Sequence, residues 1–314
     1  MVLVIAAPGQ GAQTPGFLAP WLELPEIAER IGTWSDLAGC DLARYGTAGS
    51  AEEIRDTAVA QPLLVASAVA AAGVLFGWRP PGRGIAAGHS VGELAAGAIA
   101  GICSPEEAIA LVGTRGRAMA QAAAARATSM TAVLGGDEAA VLAAIEACGL
   151  TPANMNGAGQ IVAAGTAEQL AAFAASPPPG ARLRPLRVAG AFHTAHMAPA
   201  VGALRAAAAS ITLRDPAITV LSNRDGAAVT SGADWLERIV TQVSAPVRWD
   251  LCLRAMREAG ASAFLELPPG GTLAGIARRA LPGVQVLAIK DPSDLAPARV
   301  LVAEHARLQP VSPQ

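Results

Sequence analysis

Two hydrophobic periods alternate along this chain. Short unbroken apolar runs are separated by longer stretches in which apolar residues return every three or four positions. The first is the signature of strands buried on both faces, the second of amphipathic helices. Residues 2–6, 84–87, 218–221, 263–267 and 284–289 are runs of strand length. Helices are predicted over residues 63–75, 93–100, 104 to beyond 119, 198–209, 235–242 and 250–259, and residues 20–76 read as helical segments joined by loops. Ser104-Pro105-Glu106-Glu107 is a complete helix start: Ser104 can cap, Pro105 suits the first turn, and Glu107 closes a capping box. Gln61-Pro62 reads as the opening of the long apolar helix. Strands alternating with helices predict a mostly parallel sheet.

Between residues 128 and 188 the order of elements changes. Residues 130–134 read as a strand and 137–148 as a helix. Residues 151–156 and 160–164 form a hairpin around Gly157-Ala158-Gly159. Thr166 and Gln169 make another capping box, and 183–188 closes the series as a strand after Pro177-Pro178-Pro179-Gly180. The order β-α-β-β-α-β is that of a ferredoxin-like unit. The chain is therefore read as a large α/β domain, residues 1–127 and 189–314, with a ferredoxin-like small domain, residues 128–188, inserted into it.

Composition narrows the class. Of 314 residues, 52% are hydrophobic and 15% charged, which fits a large core and excludes disorder. A net charge of −2 gives no reason to expect nucleic-acid binding. Cys40, Cys103, Cys148 and Cys252 are scattered, so neither a zinc site nor a disulfide framework is expected, and a reducing cytoplasm fits. Residues 2–7 lack the basic flank of a signal peptide, and the apolar run 68–77 is too short to span a membrane.

Candidate chemistry centres on Gly88-His89-Ser90-Val91-Gly92, between a predicted strand and a predicted helix. Glycines on both sides of Ser90 permit the sharp turn of a nucleophile elbow, which places a hydroxyl at a helix N-terminus. Pro8-Gly9-Gln10-Gly11-Ala12-Gln13 is a glycine-rich loop whose amides could face a ligand, but no Gly-Lys-Ser/Thr follows, so it is not a phosphate-binding P-loop. Arg115 falls on the apolar face of its helix, between Leu111, Val112 and Met119. A guanidinium there needs an anion, either a structural partner or a ligand carboxylate. Of the four histidines, His89 is a poor base for Ser90 because adjacent elbow side chains point apart, and His305 lies in the C-terminal helix. His193 and His196 both remain.

Taken together and in order, these motifs resemble the malonyl-CoA:acyl carrier protein transacylase family. The matching stretches are residues 8–13, residues 88–93, Arg115-Gly116-Arg117-Ala118-Met119, Asn156 through Gln160 to Gly165, Gly190-Ala191-Phe192-His193, Gln242 with Pro246-Val247-Arg248-Trp249, and Glu266 with Pro269-Gly270-Gly271. The resemblance implies an α/β-hydrolase-like large domain with a parallel sheet and an inserted ferredoxin-like small domain. It implies Ser90 as nucleophile, His193 as base, and Gln242 as the residue whose backbone carbonyl orients the imidazole. The Gln10 and Val91 amides would form the oxyanion hole. Arg115 would pair with the malonyl carboxylate, with Met119, Phe192, His89, Asn156 and Gln160 around the substrate. A phenylalanine at position 192 goes with malonyl rather than methylmalonyl. The partners implied are malonyl-CoA and a holo acyl carrier protein. CoA is a substrate, the phosphopantetheine belongs to the partner, and no metal or other cofactor is implied. A monomer is expected, with no nucleic-acid or membrane partner, and Arg278 and Arg279 are candidates for docking an acidic carrier. An acyl-CoA hydrolase or thioesterase shares the elbow, and a non-catalytic carrier-binding module is the reading from another class.

Overall fold

The structure, a computed structural model, describes residues 1–305; residues 306–314, the end of the range assigned to the large domain, lie outside the described residues. Its strands are β1 Val2–Ala7, β2 Ile85–Gly88, β3 Thr128–Gly135, β4 Thr151–Gly157, β5 Gln160–Thr166, β6 Ala181–Pro185, β7 Thr219–Leu221, β8 Val247–Arg248, β9 Ala261–Glu266 and β10 Gln285–Ala288. One sheet runs β10-β9-β1-β2-β7, with every pairing parallel. In β1 the alternation of side chains feeds two cores. Leu3, Ile5 and Ala7 pack into the larger cluster, Val4 and Ala6 into the one on the other face. Burial on both faces is why the run is apolar without interruption.

The second sheet runs β6-β3-β5-β4-β8. Its first four strands, with helices Glu138–Ala147 and Ala167–Ala175, have the ferredoxin-like order expected from the sequence, and both capping boxes form. The last strand lies earlier than residues 183–188. It pairs with β3 from Ala181 to Pro185, and the Leu186 N–H adds one further bond to the Met130 carbonyl at 3.0 Å. The fifth strand, β8, comes from far along the chain and pairs parallel to β4, Asn154 opposite Val247 and Met155 opposite Arg248. Two residues carry no periodicity, so this tie between the sheets was invisible in the sequence.

One helix differs from its reading. It spans Thr57–Phe76, with Asp56 as cap and Pro62 inside it rather than at its start. The cap bond, Ala58 N–H to Asp56 Oδ1 at 2.8 Å, fixes the true beginning. At 20 residues this helix is long and apolar enough to cross a membrane, but 83% of its most apolar window is buried inside the fold. It is the central core helix, packed against the Pro105–Ala124 helix.

β1 and β2 are neighbours at the centre of the parallel sheet, and the chain turns to opposite sides of β1 to add β2 and β9. Ligands of such sheets bind beyond the carboxyl ends of strands at this kind of reversal. The loop after β1 is Pro8–Gln13 and the turn after β2 carries Ser90.

Candidate active site

The Ser90 turn is held by fixed backbone geometry. Ser90 has φ +54°, in the left-handed region that costs a non-glycine residue roughly 1–3 kcal/mol. A Cβ at Gly92 would run into the Ala7 and Pro8 carbonyls, and one at Gly88 into the Gly92 backbone. Both glycines of the motif are therefore demanded by close approach. The His89 N–H donates to the Ala7 carbonyl at 3.0 Å, fastening the turn to β1. The helix Gly92–Ile99 follows at once.

His193 is buried and also left-handed, at φ +61°. Its loop is braced by Thr194 Oγ1 donating to the Ala191 carbonyl at 2.7 Å and by the Ala191 N–H donating to Thr128 Oγ1 at 2.9 Å. Its Nε2 lies 2.7 Å from Ser90 Oγ, and its Nδ1 lies 3.0 Å from the Gln242 backbone carbonyl. A carbonyl accepts only from an N–H, so Nδ1 carries the proton and Nε2 faces the hydroxyl as an acceptor. Burial, and after it the Arg115 charge, lowers the imidazole from 6.5 to about 3, so it is neutral at physiological pH. His196 is not part of this cluster; its N–H donates to Thr194 Oγ1 at 3.2 Å.

Arg115 is 1% exposed. Its Nη1 donates to Gln61 Oε1 at 2.6 Å, and its Nη2 lies 3.3 Å from Ser90 Oγ and 3.4 Å from Gln242 Oε1. All three partners are neutral oxygens. Burial brings the guanidinium down to about 10, still charged. Met119, one turn on, is buried against Gln61, whose Nε2 donates to its sulfur at 3.4 Å.

The Gln10 side chain reaches the Arg55 carbonyl and Thr57 Oγ1, both at 3.3 Å, and so ties the loop after β1 to the start of the central helix. Among the described residues, neither the Gln10 nor the Val91 N–H donates to a protein acceptor. Phe192 is buried beside His193. His89 points away from the base. Its Nε2 meets Asn156 Oδ1 at 2.8 Å and its ring stands edge-on to Trp249 at 5.7 Å, so it joins the elbow to β4; burial lowers its pKa. Gln160 sits across the hairpin tip from Gly157 and lines a small cavity with Gly135, Met155 and Asp250. No hydrogen bond joins it to Ser90, His193 or Arg115 among the described residues. Arg278 and Arg279 are exposed on the last turn of the Thr272–Ala280 helix. Glu266 is fully buried and accepts from the Gly271, Leu273 and Ala274 N–H groups at 2.7–2.9 Å, which makes it the cap of that helix.

Three polar residues were not found by sequence reasoning. Gln61 holds Arg115. Asn223, 0% exposed, accepts the Ser90 N–H on Oδ1 at 2.7 Å and donates Nδ2 to the Gly88 carbonyl at 2.8 Å, bracing both ends of the elbow. Glu93, 2% exposed, accepts the Asn223 N–H at 2.8 Å and the Gln242 side-chain amide. Burial pushes its carboxyl up to about 8, against the pull of the Asn223 N–H and of Arg115. The only signal was Glu93 within the elbow motif; Asn223 lay in what read as an ordinary turn.

Residues 8–300 match the acyl transferase domain family. The malonyl CoA-acyl carrier protein transacylase of Mycobacterium tuberculosis is 54% identical over 300 residues, 94% of this chain and 98% of that protein. This chain belongs to the malonyl CoA-acyl carrier protein transacylase family. The crystal structure of MCAT from M. tuberculosis superposes on it with a TM-score of 0.91 at 52% identity, covering 95% of this chain and all of that one. A second family member, solved as a malonyl-transacylase in complex with its type II PKS acyl-carrier protein, gives 0.87 at 30% identity, covering 96% of this chain and 100% of that one. The fold is the family's: a large α/β domain and a small ferredoxin-like one. The chain is an acyltransferase.

Proposed function

We propose that this chain carries a malonyl group from malonyl-CoA to the phosphopantetheine thiol of an acyl carrier protein, through a malonyl ester of Ser90. The observation that carries the reading is one oxygen with two partners: Ser90 Oγ lies 2.7 Å from a neutral imidazole nitrogen and 3.3 Å from a buried guanidinium. A base beside the nucleophile serves any acyl transfer. A buried cation beside it serves an acyl group that itself ends in a carboxylate.

In the first half-reaction Ser90 Oγ attacks the thioester carbonyl while His193 Nε2 takes the hydroxyl proton. The Gln10 and Val91 N–H groups receive the oxyanion; such donors are worth about 3–4 kcal/mol each in comparable sites. Collapse expels CoA, whose sulfur takes the proton from His193. The acyl carboxylate rests on Arg115. In the second half-reaction the carrier's thiol attacks the ester, His193 takes the thiol proton and returns it to Ser90 Oγ. The Gln242 carbonyl stabilises the imidazolium at each stage, in the place a carboxylate takes in a Ser-His-Asp triad. No metal or nucleotide cofactor enters the scheme.

The test is intact mass after mixing with malonyl-CoA alone. A malonyl adduct on the parent, absent from Ser90→Ala and discharged by holo carrier protein, is expected. Free malonate without transfer to the carrier would identify a hydrolase; no adduct and no turnover would leave only carrier binding.

A further inference from the structure

Arg115 presents an unusual arrangement. A fully buried guanidinium ordinarily has a carboxylate in contact. Here its partners are the Gln61 amide oxygen, the Ser90 hydroxyl and the Gln242 amide oxygen. The carboxylate that faces it, Glu93, lies on the far side of the Gln242 side chain, whose Oε1 meets Arg115 and whose Nε2 meets Glu93. An amide between a cation and an anion has one favourable orientation, oxygen to the cation and N–H to the anion. Direct contact between Glu93 and Arg115 would occupy the guanidinium. The interposed amide steers it toward Ser90 and leaves it open to a substrate carboxylate.

We propose that Glu93 is a positioning residue that sets acyl selectivity: acting through the Gln242 amide, its ionised form holds Arg115 on Ser90 and favours a malonyl over an uncharged acyl group. This rests on the reading of Arg115 as the carboxylate clamp. In the observed hydrogen bonds both Glu93 oxygens accept, one from Asn223 N–H and one from Gln242 Nε2, which is the pattern of the ionised form. Protonation turns one oxygen into a donor. Glu93 Oε1 faces the Asn223 backbone N–H and must go on accepting, so the proton goes to Oε2, where an O–H donates to Gln242 only once the amide has turned its oxygen that way; its NH2 then faces Arg115, donor against donor, and the guanidinium loses its bearing. The Gln242 backbone carbonyl, which holds His193, is untouched by that rotation.

The charged and titratable groups facing Glu93 are few. Arg115 comes from the Pro105–Ala124 helix, Arg238 from the Gly232–Gln242 helix and Cys252 from the Trp249–Glu258 helix. Both arginines favour the ionised form; burial opposes it and raises the titration toward neutrality. The Cys252 thiol is itself pushed up by burial and stays neutral. Selectivity therefore rises with pH across the range in which Glu93 loses its proton.

The experiment is single-turnover loading of Ser90 from malonyl-CoA and from acetyl-CoA between pH 6 and 9. The ratio of the two rates cancels the Ser90 and His193 chemistry common to both. The parent's malonyl-to-acetyl ratio is expected to rise about tenfold, the size of one charge-assisted hydrogen bond. Glu93→Gln, a fixed copy of the protonated form, is expected to keep the low ratio at every pH. Gln242→Ala, which deletes the relay and keeps the backbone carbonyl, should do the same, and the double variant should lose nothing further. Should Glu93→Gln fail to fold, Gln242→Ala carries the test alone. A parent ratio flat with pH, or a Glu93→Gln profile that keeps the parent's slope, overturns the proposal. Arg115→Ala separates this from the reading beneath it: if that variant keeps its malonyl preference, the clamp itself is wrong; if it loses the preference while Glu93→Gln does not, only the role of Glu93 falls.

Discussion

Asn223→Ala tests whether the elbow is held from outside its own motif. Asn223 is wholly buried, and its side chain makes two short bonds, 2.7 Å from the Ser90 N–H and 2.8 Å to the Gly88 carbonyl. Alanine keeps the backbone bond to Glu93 and removes both of these. A net hydrogen bond is worth about 1 kcal/mol, and a buried polar group left without a partner costs about 1–3 kcal/mol. Gly88 is buried and cannot turn to solvent, so the expected loss of stability is about 2–5 kcal/mol. Ser90 also sits at φ +54°, strain that its surroundings must hold in place. Once released, a hydroxyl displaced by about 1 Å from His193 Nε2 loses on the order of 100-fold in rate. Urea unfolding and the single-turnover rate of malonyl loading measure the two effects separately. Arg224→Ala, the exposed neighbour, is the control and should move stability by less than about 0.5 kcal/mol. If Asn223→Ala matches that control in both assays, the bracing role assigned to Asn223 is refuted.

Two further outcomes follow from the same site. Glu93, raised to about 8 from 4.5, keeps a proton in the folded state that the unfolded chain gives up, so its contribution is full below about pH 4.5 and is lost as pH rises through 8. His193, lowered to about 3 from 6.5, refuses a proton that the unfolded chain accepts, so its contribution is lost as pH falls from 6.5 toward 3. Above pH 6.5 Glu93 still acts and His193 does not, and Glu93 adds a slope of up to roughly 1.4 kcal/mol per pH unit; Glu93→Gln should make the fall in stability between pH 6.5 and 8.5 shallower in urea titrations, and an unchanged slope would show that Glu93 is ionised throughout. Phe192→Ser opens space beside His193, and the use of methylmalonyl-CoA relative to malonyl-CoA should rise roughly 10- to 100-fold, the worth of about 1–3 kcal/mol for one methyl group; a ratio within about twofold of the parent would remove Phe192 from the specificity pocket.

The sequence by itself determined whatever depends on local pattern. Short apolar runs bounded by turn signals read as strands buried on both faces, so β1, β2 and β9 were legible, while the longer run 63–75 read as a helix by its length. Ser104 with Glu107 and Thr166 with Gln169 closed their capping boxes because those contacts span three residues. Gly88 and Gly92 marked the elbow because no side chain fits there. Arg115 was conspicuous as a charge on an apolar face, and the order of motifs pointed to the family. Tertiary structure decided whatever depends on residues meeting across the chain. Local pattern left His193 and His196 alike, and only the order of motifs pointed to His193; the loop braced by Thr128 is what physically brings it to Ser90. Gln61, Glu93 and Asn223 carry no periodic signal, and their roles arise from partners 54, 149 and 133 residues away, Arg115, Gln242 and Ser90. The two-residue β8 is likewise a strand only because β4 lies beside it. Hydrophobic burial writes itself along the chain at the period of each element, whereas a buried polar network is specified by which elements the fold brings face to face.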